Sequence, residues 1–179
     1  RAFDVPLHTH VSETALEAQN SMEQNHMPVV NWIGKNGLLE TKLLAAHCVH
    51  LDESEMFALK EAGAGVAHCP TSNLKLSSGI AAVGQMLTMG LNVGVGTDGP
   101  ASNNDLDMFE EVRLAALLAK TKSNDPTVLP ARQALELATI SGARALHMAD
   151  KTGSLEAGKR ADLAIVEMDG VHNQPHFNN

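Results

Sequence analysis

The sequence predicts an α/β fold, specifically half of a (β/α)8 barrel, and three observations predict it. Short apolar, β-branched runs alternate with helix-period segments at regular spacing, the mark of βα units and a parallel sheet. One of these runs, residues 91–98, ends abruptly in Asp98 followed by Gly99, Pro100 and a polar turn, as a barrel strand does where it reaches the mouth. Four such units can be counted in the 179 residues, whereas a whole barrel takes eight strands and about 250 residues.

Taken in order, residues 5–11 read as the first strand. Ser12 is the expected N-cap of a helix to about His26, with Glu13, Glu17 and Glu23 along it. Pro28 opens a short second helix that Gly37 closes. Residues 43–49 form the second strand. Asp52 and Glu55 have the spacing of a capping box, starting a helix with Met56, Leu59 and Lys60 that Gly63 and Gly65 stop. Residues 66–69 make a third strand, halted by Pro70, and 71–79 read as a polar loop. A helix over 81–89 leads to the Asp98 strand. Two long helices follow, one with Leu106, Phe109, Val112, Ala116 and Leu117 on one arc, the other spanning Ala131 to Leu146.

Beyond Asp150 the texture becomes turn-rich, and 161–167 reads as a strand of a different layer. Residues 1–150 are therefore assigned to the barrel half and 151–179 to the start of a second domain. An open half barrel exposes two strand edges and a large apolar flank. The chain is accordingly expected to be a fragment, or one piece of a two-chain barrel. The residues from His172 on show no finishing element, which points the same way.

Composition narrows the function classes. Hydrophobic content of 44% and charged content of 19% describe an ordinary globular protein. The net charge of −8, with no basic run, argues against nucleic-acid and anionic-membrane partners. Cys48 and Cys69 lie far apart, each in an apolar run. They read as buried reduced thiols of a cytoplasmic protein. Nine histidines against one tryptophan and no tyrosine invite a metal hypothesis, which position must decide.

Position singles out four residues. Asp98 ends a strand; the bland alternative is an Asp that caps the next helix. His10 and His47 end two earlier strands, and Glu13 follows His10 at a strand-to-helix junction. A carboxylate there can move a proton between water and a leaving group, or simply complement a helix dipole. Together these groups suggest metal-assisted hydrolysis. His8 and His10 share a strand face and mimic a two-histidine zinc clamp. Only two strands separate theirs from that of Asp98, however, so His10 is taken as a single ligand and His8 as an inward-facing neighbour, packed or hydrogen-bonded. His50 begins a loop. His68 ends the third strand, and a satisfied structural histidine is the preferred reading over a pocket residue. No Walker loop, Gly-x-Gly-x-x-Gly, Gly-x-Ser-x-Gly or His-x-Glu…Pro-Cys-x-x-Cys pattern occurs.

Several motifs in succession carry a resemblance. They are His10-Val-Ser-Glu13-Thr, Ala46-His47-Cys, His68-Cys-Pro-Thr-Ser-Asn-Leu-Lys-Leu-Ser-Ser-Gly79, Gly96-Thr-Asp98-Gly-Pro-Ala-Ser-Asn-Asn-Asp-Leu-Asp-Met108 and Gly153-Ser-Leu-Glu-Ala-Gly-Lys-Arg-Ala-Asp-Leu163. In order and spacing the chain resembles the amidohydrolase superfamily, and within it the 5′-methylthioadenosine/S-adenosylhomocysteine deaminases and their chlorohydrolase relatives.

The resemblance implies the C-terminal half of a TIM-like metallohydrolase barrel, joined to a small β-sandwich, with one zinc (or Fe2+) ion. His10 matches the fifth-strand metal ligand. Asp98 matches the eighth-strand ligand, which also contacts substrate and handles the water's proton. Glu13 matches the residue that contacts the purine ring and shuttles a proton, and His47 the histidine that polarises the water or the tetrahedral intermediate. The family's first-strand His-x-His pair would lie upstream of Arg1, so this chain alone is expected to bind metal weakly. The implied substrate is an adenosine-type nucleoside, and a homo-oligomer is implied by analogy. Triazine or guanine aminohydrolysis, chloride removal, and a catalytically silent scaffold are the rival readings.

Overall fold

The computed structural model describes residues 4–170. Four strands, β1 (Leu7–Val11), β2 (Leu43–His47), β3 (Gly65–His68) and β4 (Asn92–Val95), form one sheet in the order β1-β2-β3-β4. Every pairing is parallel. Sequential parallel order with a helical crossover after each strand is that of four barrel βα units. The pairings Val11↔His47 and His68↔Val95 bring the carboxyl ends of the strands to one level.

The helices are α1 (Ala15–Asn25), α2 (Val29–Lys35), α3 (Glu53–Glu61), α4 (Pro70–Lys75), α5 (Val83–Met89), α6 (Pro100–Asn103), α7 (Met108–Ser123), α8 (Ala131–Leu137) and α9 (Ile140–Ala145). The core gathers Val11, Leu43, Ala45, Val66 and Val93 of the strands with Val30, Met56, Leu59, Met86, Ala115 and Leu137 of the helices. All of β2 is buried. β1 and β4 are edges with one neighbour each. In β1, Val11 enters the core while His8 and His10 stay exposed on the other face. His8 is therefore not packed: it stands exposed on the edge strand.

The Asp52 capping box forms as predicted, with Asp52 accepting from the Glu55 N–H and Glu55 from the Asp52 N–H. Other local expectations give way. Thr14, not Ser12, caps α1, its Oγ1 accepting from Glu17 N at 3.1 Å. Ser12 is fully buried at φ +50°, and its carbonyl accepts from the N–H groups of Val49 and His50. The supposed loop at 71–79 starts as α4, because Pro70 stands at the first helical turn, where a missing N–H costs nothing. On α7 the buried residues are Ala115, Ala119 and the hydrogen-bonded Glu111, whereas Phe109 and Leu117 are exposed.

The expected helix over 131–146 is two helices, broken at Thr139 (φ −129°, ψ −107°). The break lets α9 press on the sheet at two glycines, Gly65 and Gly94. Residues 161–167 form no strand, and Leu163 and Ile165 are exposed, since no described strand lies beside them to pair with. The tail from residue 171 on lies outside the described residues. No helix of the described chain is long and apolar enough to cross a membrane.

Candidate active site

The carboxyl end of the sheet assembles three of the four residues singled out. The rings of His10 and His47 stack with centroids 5.3 Å apart and planes 20° apart. His47 Nε2 lies 3.7 Å from Glu13 Oε2, with His47 almost wholly buried and the Glu13 side chain 22% exposed. His47 stands at φ +70° and the next residue, Cys48, at +51°, both uncommon for side chains other than glycine. The turn is held by Cys48 N–H bonds to the carbonyls of Val11 and Ala46. Such conformations cost of order 1–3 kcal/mol each and concentrate where function requires them.

Glu13 is presented by its own loop. The Glu17 carboxylate accepts from the N–H groups of Ser12 (3.0 Å) and Glu13 (2.8 Å), pinning the segment between β1 and α1. Ser78 Oγ donates to Glu13 Oε1 at 3.3 Å. His50 reaches the Ser78 carbonyl through Nε2 at 2.7 Å, in a loop role as expected.

Asp98 differs in setting from the sequence expectation. It lies beyond the end of β4, is exposed, and sits at φ +61°. Two hydroxyls, Ser72 Oγ and Ser102 Oγ, each donate to Oδ2 at 2.7 Å, which leaves Oδ1 free of both. Burial opposes its charge, but Ser102, Ser72, the Gly99 N–H and the His47 ring outweigh that. The carboxyl is held below its ordinary range and stays ionised at neutral pH.

Behind Asp98, the buried Glu111 accepts from Thr71 N–H (3.1 Å) and Asn103 Nδ2 (2.5 Å), tying α4, α6 and α7 together. Lys75 Nζ bridges to the Ala101 carbonyl (2.8 Å) and Asn104 Oδ1 (2.6 Å). Sequence reasoning missed Ser72, Asn73, Ser102, Glu111 and Glu17 as supporting groups. Only Glu17 carried a readable signal, the Thr14-x-x-Glu17 spacing of a capping box.

Cys48 and Cys69 are free and buried. Burial, then the Asp98, Glu111 and Glu13 carboxylates, push the Cys69 thiol up to about 12, so it has no thiolate character at neutral pH.

His68 is buried but not satisfied, contrary to the structural reading preferred from sequence: its Nδ1 has no hydrogen-bond partner among the described residues. Burial first, and His47 second, lower its pKa from 6.5 to about 4. The unfolded chain therefore binds this proton more readily than the folded one. His68 thus costs no stability above pH 6.5 and progressively destabilises the fold as pH falls toward 4. The expected loss is about 3 kcal/mol across that window. Denaturant titrations of the full-length protein at several pH values should show this slope in wild type and a flatter one in His68→Leu. Parallel curves would contradict it.

As to metal, an imidazole and a carboxylate suit zinc in kind, but a catalytic zinc takes three protein ligands. Among the described residues no group of three or more His, Cys, Asp or Glu side chains could hold a metal ion.

The fold is thus a parallel half barrel with imidazoles and carboxylates gathered at the carboxyl ends of its strands. The chain belongs to the amidohydrolase family, whose model matches residues 1–179. It is 53% identical over 173 residues to a 5-methylthioadenosine/S-adenosylhomocysteine deaminase of Moorella thermoacetica, covering 97% of this chain and 40% of that protein. Among solved structures it is similar to an adenosine deaminase from Xanthomonas campestris with bound zinc (TM-score 0.94, 44% identity, 98% of this chain and 40% of that one). It is also similar to an atrazine chlorohydrolase from Arthrobacter aurescens complexed with zinc (TM-score 0.89, 33% identity, 99% of this chain and 39% of that one). The chain spans about 40% of the length of the relatives it matches.

Proposed function

We propose that the full-length protein hydrolytically deaminates an adenosine-type nucleoside, such as 5′-methylthioadenosine or S-adenosylhomocysteine, and releases ammonia. The observation that carries this reading is the grouping of Glu13, His47 and His10 at one end of the sheet. The hydroxyl-clamped Asp98 follows β4, whose end is level with theirs. His10 and Asp98 would hold a zinc ion, with iron as the alternative, together with ligands from outside this chain. Bound there, the metal supplies the Lewis acidity that makes a water nucleophilic near neutral pH.

The chain's own residues do the rest. Asp98, ionised, accepts a proton from the attacking water through the oxygen its two serines leave free. Glu13 contacts the purine and delivers a proton to the ring nitrogen beside the reacting carbon, which makes that carbon electrophilic. His47, whose Nε2 faces Glu13, steadies the tetrahedral centre as it forms. The amino group departs as ammonia, carrying the proton Asp98 took from water, while the new hydroxyl returns its proton to Glu13 as it becomes the ring carbonyl.

The same reading gives residues 151–179 to the start of a small β-sandwich, which supports an account of the exposed Leu155, Leu163 and Ile165 as awaiting partner strands. It places the protein in the cytoplasm as a homo-oligomer acting on a small molecule. The charge of −8 and the two free thiols support this over a nucleic-acid or membrane role.

The likeness to the atrazine chlorohydrolase keeps triazine chemistry as a second reading, although identity is lower on that side, 33% against 53%. A panel assay on the full-length protein separates the options. Ammonia release from 5′-methylthioadenosine should exceed that from guanine, 8-oxoguanine and aminotriazines. Preferential turnover of a triazine would replace the deaminase reading. A protein purified without zinc or iron, and inert on the whole panel, would be a silent scaffold.

A further inference from the structure

His47 has a fixed partner on its far side. Asn73, on α4 and 1% exposed, places Oδ1 2.9 Å from His47 Nδ1 in a fully buried hydrogen bond. An amide oxygen only accepts, so the shared proton rides on Nδ1. A neutral imidazole carries a single ring proton, and Nε2 then presents a lone pair. Nε2 is the atom that faces Glu13.

Asn73 is itself firmly held. Its N–H donates to the Cys69 carbonyl and its carbonyl accepts from the Ser78 N–H at 2.8 Å. Its Nδ2 is buried with no partner among the described residues. An orphaned buried donor is destabilising, so an amide is a poor choice here for packing alone. Among the described residues its one side-chain hydrogen bond is the one to His47.

We infer that Asn73 is a positioning residue that locks His47 in the Nδ1–H tautomer, so that Nε2 meets the reacting groups as a hydrogen-bond acceptor. The inference rests on the deaminase reading for its catalytic consequence, though not for its geometry. It sharpens the role of His47: the neutral ring accepts a hydrogen bond from the attacking water and cannot donate through Nε2 to a developing oxyanion.

The test uses full-length, metal-free protein with 15N-labelled histidine, His47 being assigned by its loss in His47→Gln. Two-bond 15N–1H correlations should show the Nδ1–H tautomer in wild type. Asn73→Asp, which still accepts, should keep it; Asn73→Leu should release it. In the metal-loaded enzyme, Asn73→Leu should lower kcat by about 10- to 100-fold with little change in KM. Asn73→Asp should restore most of that loss.

An Nε2–H tautomer in wild type would mean that the amide donates, and would overturn the inference. So would Asn73→Leu with unchanged tautomer and kcat, or Asn73→Asp as impaired as Asn73→Leu. Should Asn73→Leu not fold, the wild-type and Asn73→Asp spectra still decide. If the wild-type protein releases no ammonia from nucleosides, the deaminase reading fails, while the tautomer spectra judge Asn73 independently.

Discussion

Glu13→Gln and Asp98→Asn in the full-length protein should each lower ammonia release by about 10²- to 10⁴-fold, the range for losing a positioned proton-transfer group. The first change removes the proton donor to the ring and the second the acceptor from water, and both leave shape almost intact. A glutamine can still accept from the Ser78 hydroxyl that now meets Glu13 Oε1 at 3.3 Å. An asparagine oxygen can still accept from Ser72 and Ser102, which now meet Asp98 Oδ2 at 2.7 Å. Both sites are open enough that unfolding should be little affected, with the thermal midpoint moving by about 2 °C or less. Turnover near wild type in either variant, measured by coupled ammonia assay, would remove that residue from the machinery.

Gly65→Ala should destabilise the fold by about 3 kcal/mol or more. A Cβ at Gly65 would lie 2.0 Å from the Ala145 carbonyl oxygen, 2.6 Å from its carbon and 2.7 Å from its Cα. These are backbone atoms of the C-terminal turn of α9, which no rotamer change can move aside. The helix must therefore retreat from β3, and with it the close approach of Gly142 to Gly94, where a Cβ would meet the Gly142 Cα at 2.7 Å. Gly99→Ala is the matched control. It has nothing within 4 Å and a φ of −85°, so its effect should stay within about 0.5 kcal/mol. Urea denaturation of both variants reads the difference; equal midpoints would show that α9 does not set the strand–helix spacing.

Much of this was legible along the chain because it depends on local pattern. The four strands announced themselves by short apolar runs closed by Gly, Pro or polar residues, and the Asp52 capping box by its three-residue spacing. His10, Glu13 and His47 were readable because a barrel strand exposes its chemistry where its apolar run stops. The supporting groups were not. Ser72 and Asn73 lie in a stretch whose composition reads as loop, and a serine or asparagine there looks the same whether it faces water or a catalytic side chain. Glu111 had no role in the sequence reading, because the partners it meets when buried, Thr71 and Asn103, lie 40 and 8 residues away. The break between α8 and α9 was hidden by an unbroken helical period over 131–146; contact with two strand glycines overrode it.

The sequence by itself determined the parallel βα order and which ionisable residues stand at strand ends, since both follow from periodicity and from where apolar runs stop. Only the tertiary structure decided how those residues are held: the serine pair on one oxygen of Asp98, the amide behind His47, the unsatisfied His68. Hydrogen bonds between residues 26 positions apart are set by how strands and loops stack in space, and no local pattern encodes that distance.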